Sequence, residues 1–290
     1  MSLVITQAGR TDSTRGWSRA DLSRRNIFIW GVIILLSNDI LSTVKGMVPI
    51  SFAQLVSILQ SVGIFQYLAW YVILRLLGSS DPIPVARWRD FLITAALCLL
   101  VFLPTSRMIW VAATGLAVYL WIFNLRDLKL RSAGIVLAAL SLQQLWGHIF
   151  FDLVAMPLLR AETAVLGTML EVSRAGTVWQ DNLIIGPSGH GIVMYPGCSS
   201  FHNLSLALLC WVTLTRLRHQ NWRRRDLVPG GVIVGTMILL NLARLYLMAL
   251  DTDSYHYWHD GIGAEIFGVG ASVTILLLGL WGARAAKERV

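Results

Sequence analysis

Charge is scarce in this chain. Asp, Glu, Lys and Arg make up only 14% of its 290 residues, against about 25% in ordinary soluble domains. A soluble helical protein of this length would need polar faces on its helices, and the apolar blocks here are apolar all round. Cysteine is scarce too. Cys98, Cys198 and Cys210 are too few for a disulfide framework, and Cys98 and Cys210 sit inside apolar runs as packing residues. No group of His, Cys, Asp and Glu has metal-ligand spacing, so no metal is expected. There is no internal repeat, which argues against an inverted-repeat transporter. Nor is there a cleavable signal peptide: the first 26 residues are polar and basic, and the apolar run that follows is long enough to stay as an anchor.

What is abundant is apolar sequence, at 56% of positions. It falls in blocks close to the roughly 20 residues that a helix needs to cross a bilayer. The expected spans are 27–44, 52–77, 89–104, 108–124, 133–151, 199–215, 229–250 and 261–283. The net charge of +8 is a topology signal. With the N-terminus inside, the cytoplasmic side collects Arg10, Arg15, Arg19, Arg24 and Arg25, then Arg75, Arg87 and Arg89, then Arg126, Lys129 and Arg131. Arg216, Arg218, Arg223, Arg224 and Arg225 follow there, with Arg284, Lys287 and Arg289 last. The outer side receives only Lys45, Arg107, Arg160 and Arg174, and Arg244 lies within a span. This is the positive-inside distribution. Nucleic-acid binding would instead gather Lys and Arg on one folded face.

The expected fold class is therefore an all-α membrane bundle of about eight transmembrane helices, with both termini cytoplasmic. Residues 1–26 read as a flexible cytoplasmic tail, and 27–290 as one multi-pass domain with an extracytoplasmic loop at 152–197. Within that loop Ala161 to Val172 suits a helix lying on the membrane. Thr177 to Val193 suits a small hairpin. A loop of this length is usually functional or disordered, and this one ends at Cys198.

Ionisable or reactive groups at membrane depth are functional hypotheses by default. Cys198 stands in Tyr195-Pro196-Gly197-Cys198-Ser199-Ser200, where a helix is expected to begin at about Ser199. A thiol at a helix N-terminus is favoured as thiolate; the bland alternative is a small buried residue in a cap. Arg244 lies six residues before Leu250 on the seventh span, about 9 Å below its outer end. It shares a face with Asn241. Snorkelling to the surface, or an ion pair with Asp251, Asp260 or Glu265, would equally account for it. Tyr255 to Asp260 is expected to open the eighth span, with His259 as a proton carrier and His256 as part of an interfacial aromatic belt. His148 and His202 are further candidates. A thiolate, a cation and an imidazole at one depth make an acyl-transfer set.

At these residues the chain resembles the exosortase/archaeosortase family of multi-pass membrane cysteine enzymes. The matches are Cys198-Ser199, Asn241 to Arg244, and His259 followed by Gly263 and Phe267, with similarity over roughly 160–270. Ser200 stands where the family usually has Gly. The resemblance implies an inner-membrane cysteine transpeptidase or protease with its active site facing outward. It would cleave C-terminal sorting signals of exported proteins through a thioester on Cys198. Arg244 would hold the oxyanion and His259 would move the proton, with water, an amine or an exopolysaccharide as acceptor. The competing readings are a transporter or channel lined by Asn38, Asp39, Arg244 and Glu265, and a non-catalytic subunit of exopolysaccharide export.

Overall fold

Backbone polar groups in hydrocarbon must be satisfied within their own segment, which leaves apolar runs of this kind little choice but the helix. The computed structural model describes residues 23–44, 63–80, 87–100, 107–219 and 224–285. Its helices are α1 (Arg24–Val44), α2 (Ile64–Gly78), α3 (Trp88–Leu100), α4 (Arg107–Phe123), α5 (Leu128–Ser141) and α6 (Gly147–Ser173). After a small sheet come α7 (Phe201–Arg218), α8 (Leu227–Met248), the short α9 (Thr252–His259) and α10 (Ile262–Ala285). Every expected span contains a helix. The second span is described only from residue 63, most of the proposed tail lies outside the described residues, and so does the stretch 101–104. By length and composition, Leu227–Met248 and Ile262–Arg284 can cross a membrane, while Ile64–Gly78 and Arg107–Phe123 are shorter apolar helices.

The helices pack closely where small residues allow it. Gly134 on α5 leaves no room for a side chain, since an added Cβ would lie 2.8 Å from the carbonyl oxygen of Ala117 on α4. Asp127 starts α5 by accepting from the N–H groups of Lys129 and Leu130, satisfying donors that a first turn leaves open. The main core joins Phe28 and Leu35 of α1, Leu116 and Leu120 of α4, Leu137 and Leu140 of α5, and Ala207 of α7. Outward-facing Trp30, Leu239, Val269 and Leu277 are exposed, as a lipid-facing surface requires.

A π turn, Leu142–Trp146, joins α5 directly to α6. The fifth expected span thus does not end near residue 151 but continues as helix to Ser173, and Ala161 to Val172 is the far part of α6 rather than a separate helix. The π turn also brings Gln144 inward. Gln144 Nε2 donates to Gln66 Oε1 at 2.6 Å, and Gln66 Nε2 donates to Asp39 Oδ2 at 3.4 Å. This polar chain ties together α1, α2 and the turn, and gives Asp39 structural partners.

Beyond α6 the chain forms an antiparallel meander, β1 (Val178–Gln180), β2 (Leu183–Ile185) and β3 (Gly191–Val193). The middle residue of each strand turns inward, with Ile184 opposite both Trp179 and Ile192. Gly167 lets this sheet seat on α6, because a Cβ there would meet the Trp179 ring at 2.5 Å. A second core results: Leu159, Leu166 and Leu170 of α6, Ile184, Ile192 and Met194, and Leu245 and Met248 of α8. Cys198, Tyr255 and Trp258 pack against it.

At the opposite end Arg24 and Asp90 form a buried ion pair, Nε to Oδ2 at 2.6 Å, with the Tyr119 hydroxyl donating to Asp90 Oδ1 at 2.6 Å. Removing one partner of a buried pair costs about 3–5 kcal/mol because the other charge is stranded. Asp90→Ala is therefore expected to lower the thermal midpoint of the purified protein in detergent by several degrees. An unchanged midpoint would show that this pair does not hold α1 to α3.

Candidate active site

The site begins as a turn between the sheet and α7. Pro196–Cys198 is a single 3-10 turn, closed by the Cys198 N–H on the Tyr195 carbonyl at 2.8 Å. Ser199 is extended (ψ 149), and α7 starts only at Phe201 with Ser200 as its N-cap. This corrects the expected start near Ser199. The first N–H groups of α7 are also taken: Ser200 donates to Glu162 Oε1 at 3.2 Å, and Phe201 donates to Ser199 Oγ at 3.3 Å. Support for a Cys198 thiolate from the helix N-terminus is correspondingly weakened. Cys198 itself is a free thiol, partly exposed.

The seventh expected span delivers two groups to this turn. Asn241, 2% exposed on α8, donates from Nδ2 to the Cys198 carbonyl at 2.9 Å. Arg244, three residues on, donates from Nε to the Trp258 carbonyl at 3.0 Å and lies 5.0 Å from the Phe267 ring centroid. Among the described residues it pairs with no carboxylate, neither Asp251, Asp260 nor Glu265, and its two terminal nitrogens carry no hydrogen bond. A guanidinium fixed by Nε and by a ring face, with both Nη groups open, is suited to receive an anionic oxygen.

His259 does not open the last span. It ends the separate helix α9, and Asp260 and Gly261 intervene before α10. The α9 start is fixed by Asp251, whose carboxyl accepts from the Ser254 N–H at 2.8 Å. That backbone bond, helped by the Ser254 hydroxyl, holds the Asp251 carboxyl below its ordinary pKa. His259 Nδ1 donates to Asp260 Oδ1 at 2.5 Å, which points Nε2 away from Asp260. Its ring stacks on Tyr255 at 4.8 Å with planes 12° apart. Burial pushes the Tyr255 phenol up, and the charges of Cys198, Asp260 and Tyr195 add to this. Tyr255 and Cys198 both pack against the second core.

Among the described residues no hydrogen bond, ion pair or ring contact joins two of the three sequence candidates directly: Cys198 is tied to α8 through Asn241, Arg244 to α9 through the Trp258 carbonyl, and His259 stacks on Tyr255, which packs with Cys198 against the second core. His256 is exposed and reaches Asp260 only at 3.9 Å. His148 and His202 lie on exposed positions of α6 and α7. His190, not a candidate from sequence, braces the sheet through the Met248 carbonyl at 3.2 Å. Two carboxylates have parts that the sequence reading did not give them. Asp260, considered there only as a partner for Arg244, pairs with its direct neighbour His259. Glu162 was visible only as the acidic member of an otherwise inward stripe of α6, with Leu159, Thr163, Leu166 and Leu170. Among the described residues no group of three or more His, Cys, Asp or Glu side chains is arranged to hold a metal.

No curated protein and no solved structure matches this chain. A family model described as transmembrane exosortase (Exosortase_EpsH) matches residues 47–277, a segment that includes Cys198, Arg244 and His259 and extends well past the stretch whose motifs first suggested it. A match over most of the chain, on a nearly all-helical fold, makes this protein a member of the transmembrane exosortase family.

Proposed function

We propose that this chain is a membrane cysteine transpeptidase or protease that cleaves C-terminal sorting signals from exported proteins through a thioester on Cys198. It sits in the inner membrane with eight crossings and both ends cytoplasmic. This orientation sets the turn at Cys198, the end of α8 and α9 on the outer face. The observation that carries the reading is the double role of one turn of α8. Asn241 bonds the carbonyl of Cys198, and Arg244, with open Nη donors, bonds the carbonyl next to His259.

The chemistry follows from these groups. The Cys198 thiolate attacks the scissile carbonyl carbon, forming the C–S bond and moving the carbonyl electron pair to oxygen, where Arg244 holds the charge. Collapse breaks the C–N bond, and the His259 imidazolium gives its proton to the leaving amine. An acceptor amine, an exopolysaccharide hydroxyl or water then surrenders a proton to His259 and attacks the thioester, releasing the thiolate. Asp260 keeps His259 in the tautomer with Nε2 toward the reaction and stabilises the imidazolium, the part a carboxylate plays in other nucleophile–histidine sites. Partners are thus the bilayer, exported proteins ending in an apolar helix and basic tail, and the acceptor. No step calls for nucleic acid.

Cys198→Ala is expected to abolish processing of a tagged exported substrate while the protein still folds; normal processing in that variant would remove the enzyme reading. Arg244→Lys keeps the charge but loses the planar fork, and a loss of about 100-fold or more in kcat is expected if it holds an oxyanion. Full activity would reduce Arg244 to an anchor. Asp260→Asn is expected to lower kcat by at least about tenfold through loss of the tautomer, whereas His256→Ala leaves it unchanged. The reverse order would transfer the proton to His256.

A further inference from the structure

A carboxylate on an inward helical stripe is costly unless it is hydrogen-bonded. Glu162 is such a group, 8% exposed on α6 between Leu159 and Leu166. Its Oε1 accepts from the Ser199 hydroxyl at 3.3 Å, from the Ser200 N–H at 3.2 Å, and from the Ser200 hydroxyl in a short contact. Its Oε2 is buried with no partner among the described residues. All three donors belong to the two residues that follow Cys198. Nothing else on α6 reaches into this turn through a charged group.

Ser200 explains itself in the same geometry. Its φ of −60° and ψ of −16° are open to any residue, so glycine is not required here for its backbone freedom. What Ser200 adds is a hydroxyl directed at Glu162. With glycine the backbone N–H would remain and the hydroxyl bond would be lost. The departure from the usual family residue thus strengthens a bond that the main chain makes anyway.

We propose that Glu162 is a positioning residue for the nucleophile, setting the direction of the Cys198 thiol by fixing Ser199 and Ser200 from α6 while Asn241 fixes the Cys198 carbonyl from α8. The assignment rests on the reading of Cys198 as nucleophile for its consequence in catalysis, but the geometry of the turn stands apart from it. The hydrogen bonds are charge-assisted and hence stronger than neutral ones. Gln at this position keeps an acceptor of the same shape, and Ala keeps none.

The test uses the full-length protein in nanodiscs, with two readouts on the same samples. The first is the rate of alkylation of Cys198 by iodoacetamide, mapped by mass spectrometry against Cys98 in the same chain. Glu162→Ala is expected to change the Cys198 rate by about fivefold or more and leave Cys98 unchanged, as a displaced turn requires. The second readout is single-turnover cleavage of a tagged exported protein ending in an apolar helix and basic tail. Here Glu162→Ala is expected to lower the rate by about 100-fold with KM within about twofold, the scale of an ångström-level misplacement. Glu162→Gln is expected to recover about tenfold of that loss through its neutral hydrogen bonds, and it keeps the test open should the alanine variant not accumulate. In a Ser200→Gly background the cost of Glu162→Gln is expected to shrink. Unchanged alkylation of Cys198 in both Glu162 variants would overturn the proposal, as would equal loss in Gln and Ala alongside an altered KM. Cleavage surviving in Cys198→Ala would instead overturn the nucleophile, leaving the alkylation rates to decide the role of Glu162.

Discussion

The turn that carries Cys198 is held from two sides, and the rest of the site depends on that grip. A 3-10 turn followed by an extended residue has few hydrogen bonds of its own, and in isolation it would sample many directions for the thiol. Asn241 on α8 takes the Cys198 carbonyl, and Glu162 on α6 takes the two residues after it. Both side chains are buried, where hydrogen bonds are strong and an unmade one is costly. Two helices that share the second core are thereby tied to one short segment.

That grip also relates the turn to the other candidate residues of this chain. Arg244 is one turn beyond Asn241 on the same rigid helix, so fixing the turn to α8 also fixes it relative to the guanidinium. Arg244 in turn holds the Trp258 carbonyl, which anchors α9 and the His259 ring at its end. The small sheet has a supporting part. By burying Ile184, Ile192 and Trp179 against α6 it delivers the chain to Tyr195, and Arg174 and His190 bind it to the Leu250 and Met248 carbonyls. A second core outside the main helical packing supplies the stiffness that loops of this length otherwise lack.

Much of this was legible in the residues. Runs without polar faces located the helices, because within a single segment only a helix satisfies its own backbone in lipid. Cys198, Arg244 and His259 stand out in the sequence as chemistry expected at one depth, and their catalytic roles belong to the proposal. The failures share a cause, which is that tertiary bonds carry no local signal. Ser199 looked like the start of a helix because Pro196 and Gly197 precede it, but α7 begins at Phe201, and the Ser200 N–H at its cap is bound by Glu162, 38 residues away in sequence. Ala161 to Val172 suited a helix lying on the membrane, but it is the far part of α6. Only the fold reveals that Glu162 lies on the apolar side. His259 was expected to open the last span, yet Asp251 caps a separate helix and Gly261 breaks it from α10. Asp39, unexplained in the sequence, is bound into a chain with Gln66 and Gln144 that a π turn makes possible.

The central claim is that one thiol, in the turn between the sheet and α7, carries the acyl group during turnover. Intact-mass and peptide mass spectrometry of the enzyme, quenched in acid during turnover of its exported substrate, measures this directly. The account predicts a substrate-derived acyl adduct on Cys198 that neutral hydroxylamine removes. An adduct on another residue, or turnover with none at any time point, would contradict it.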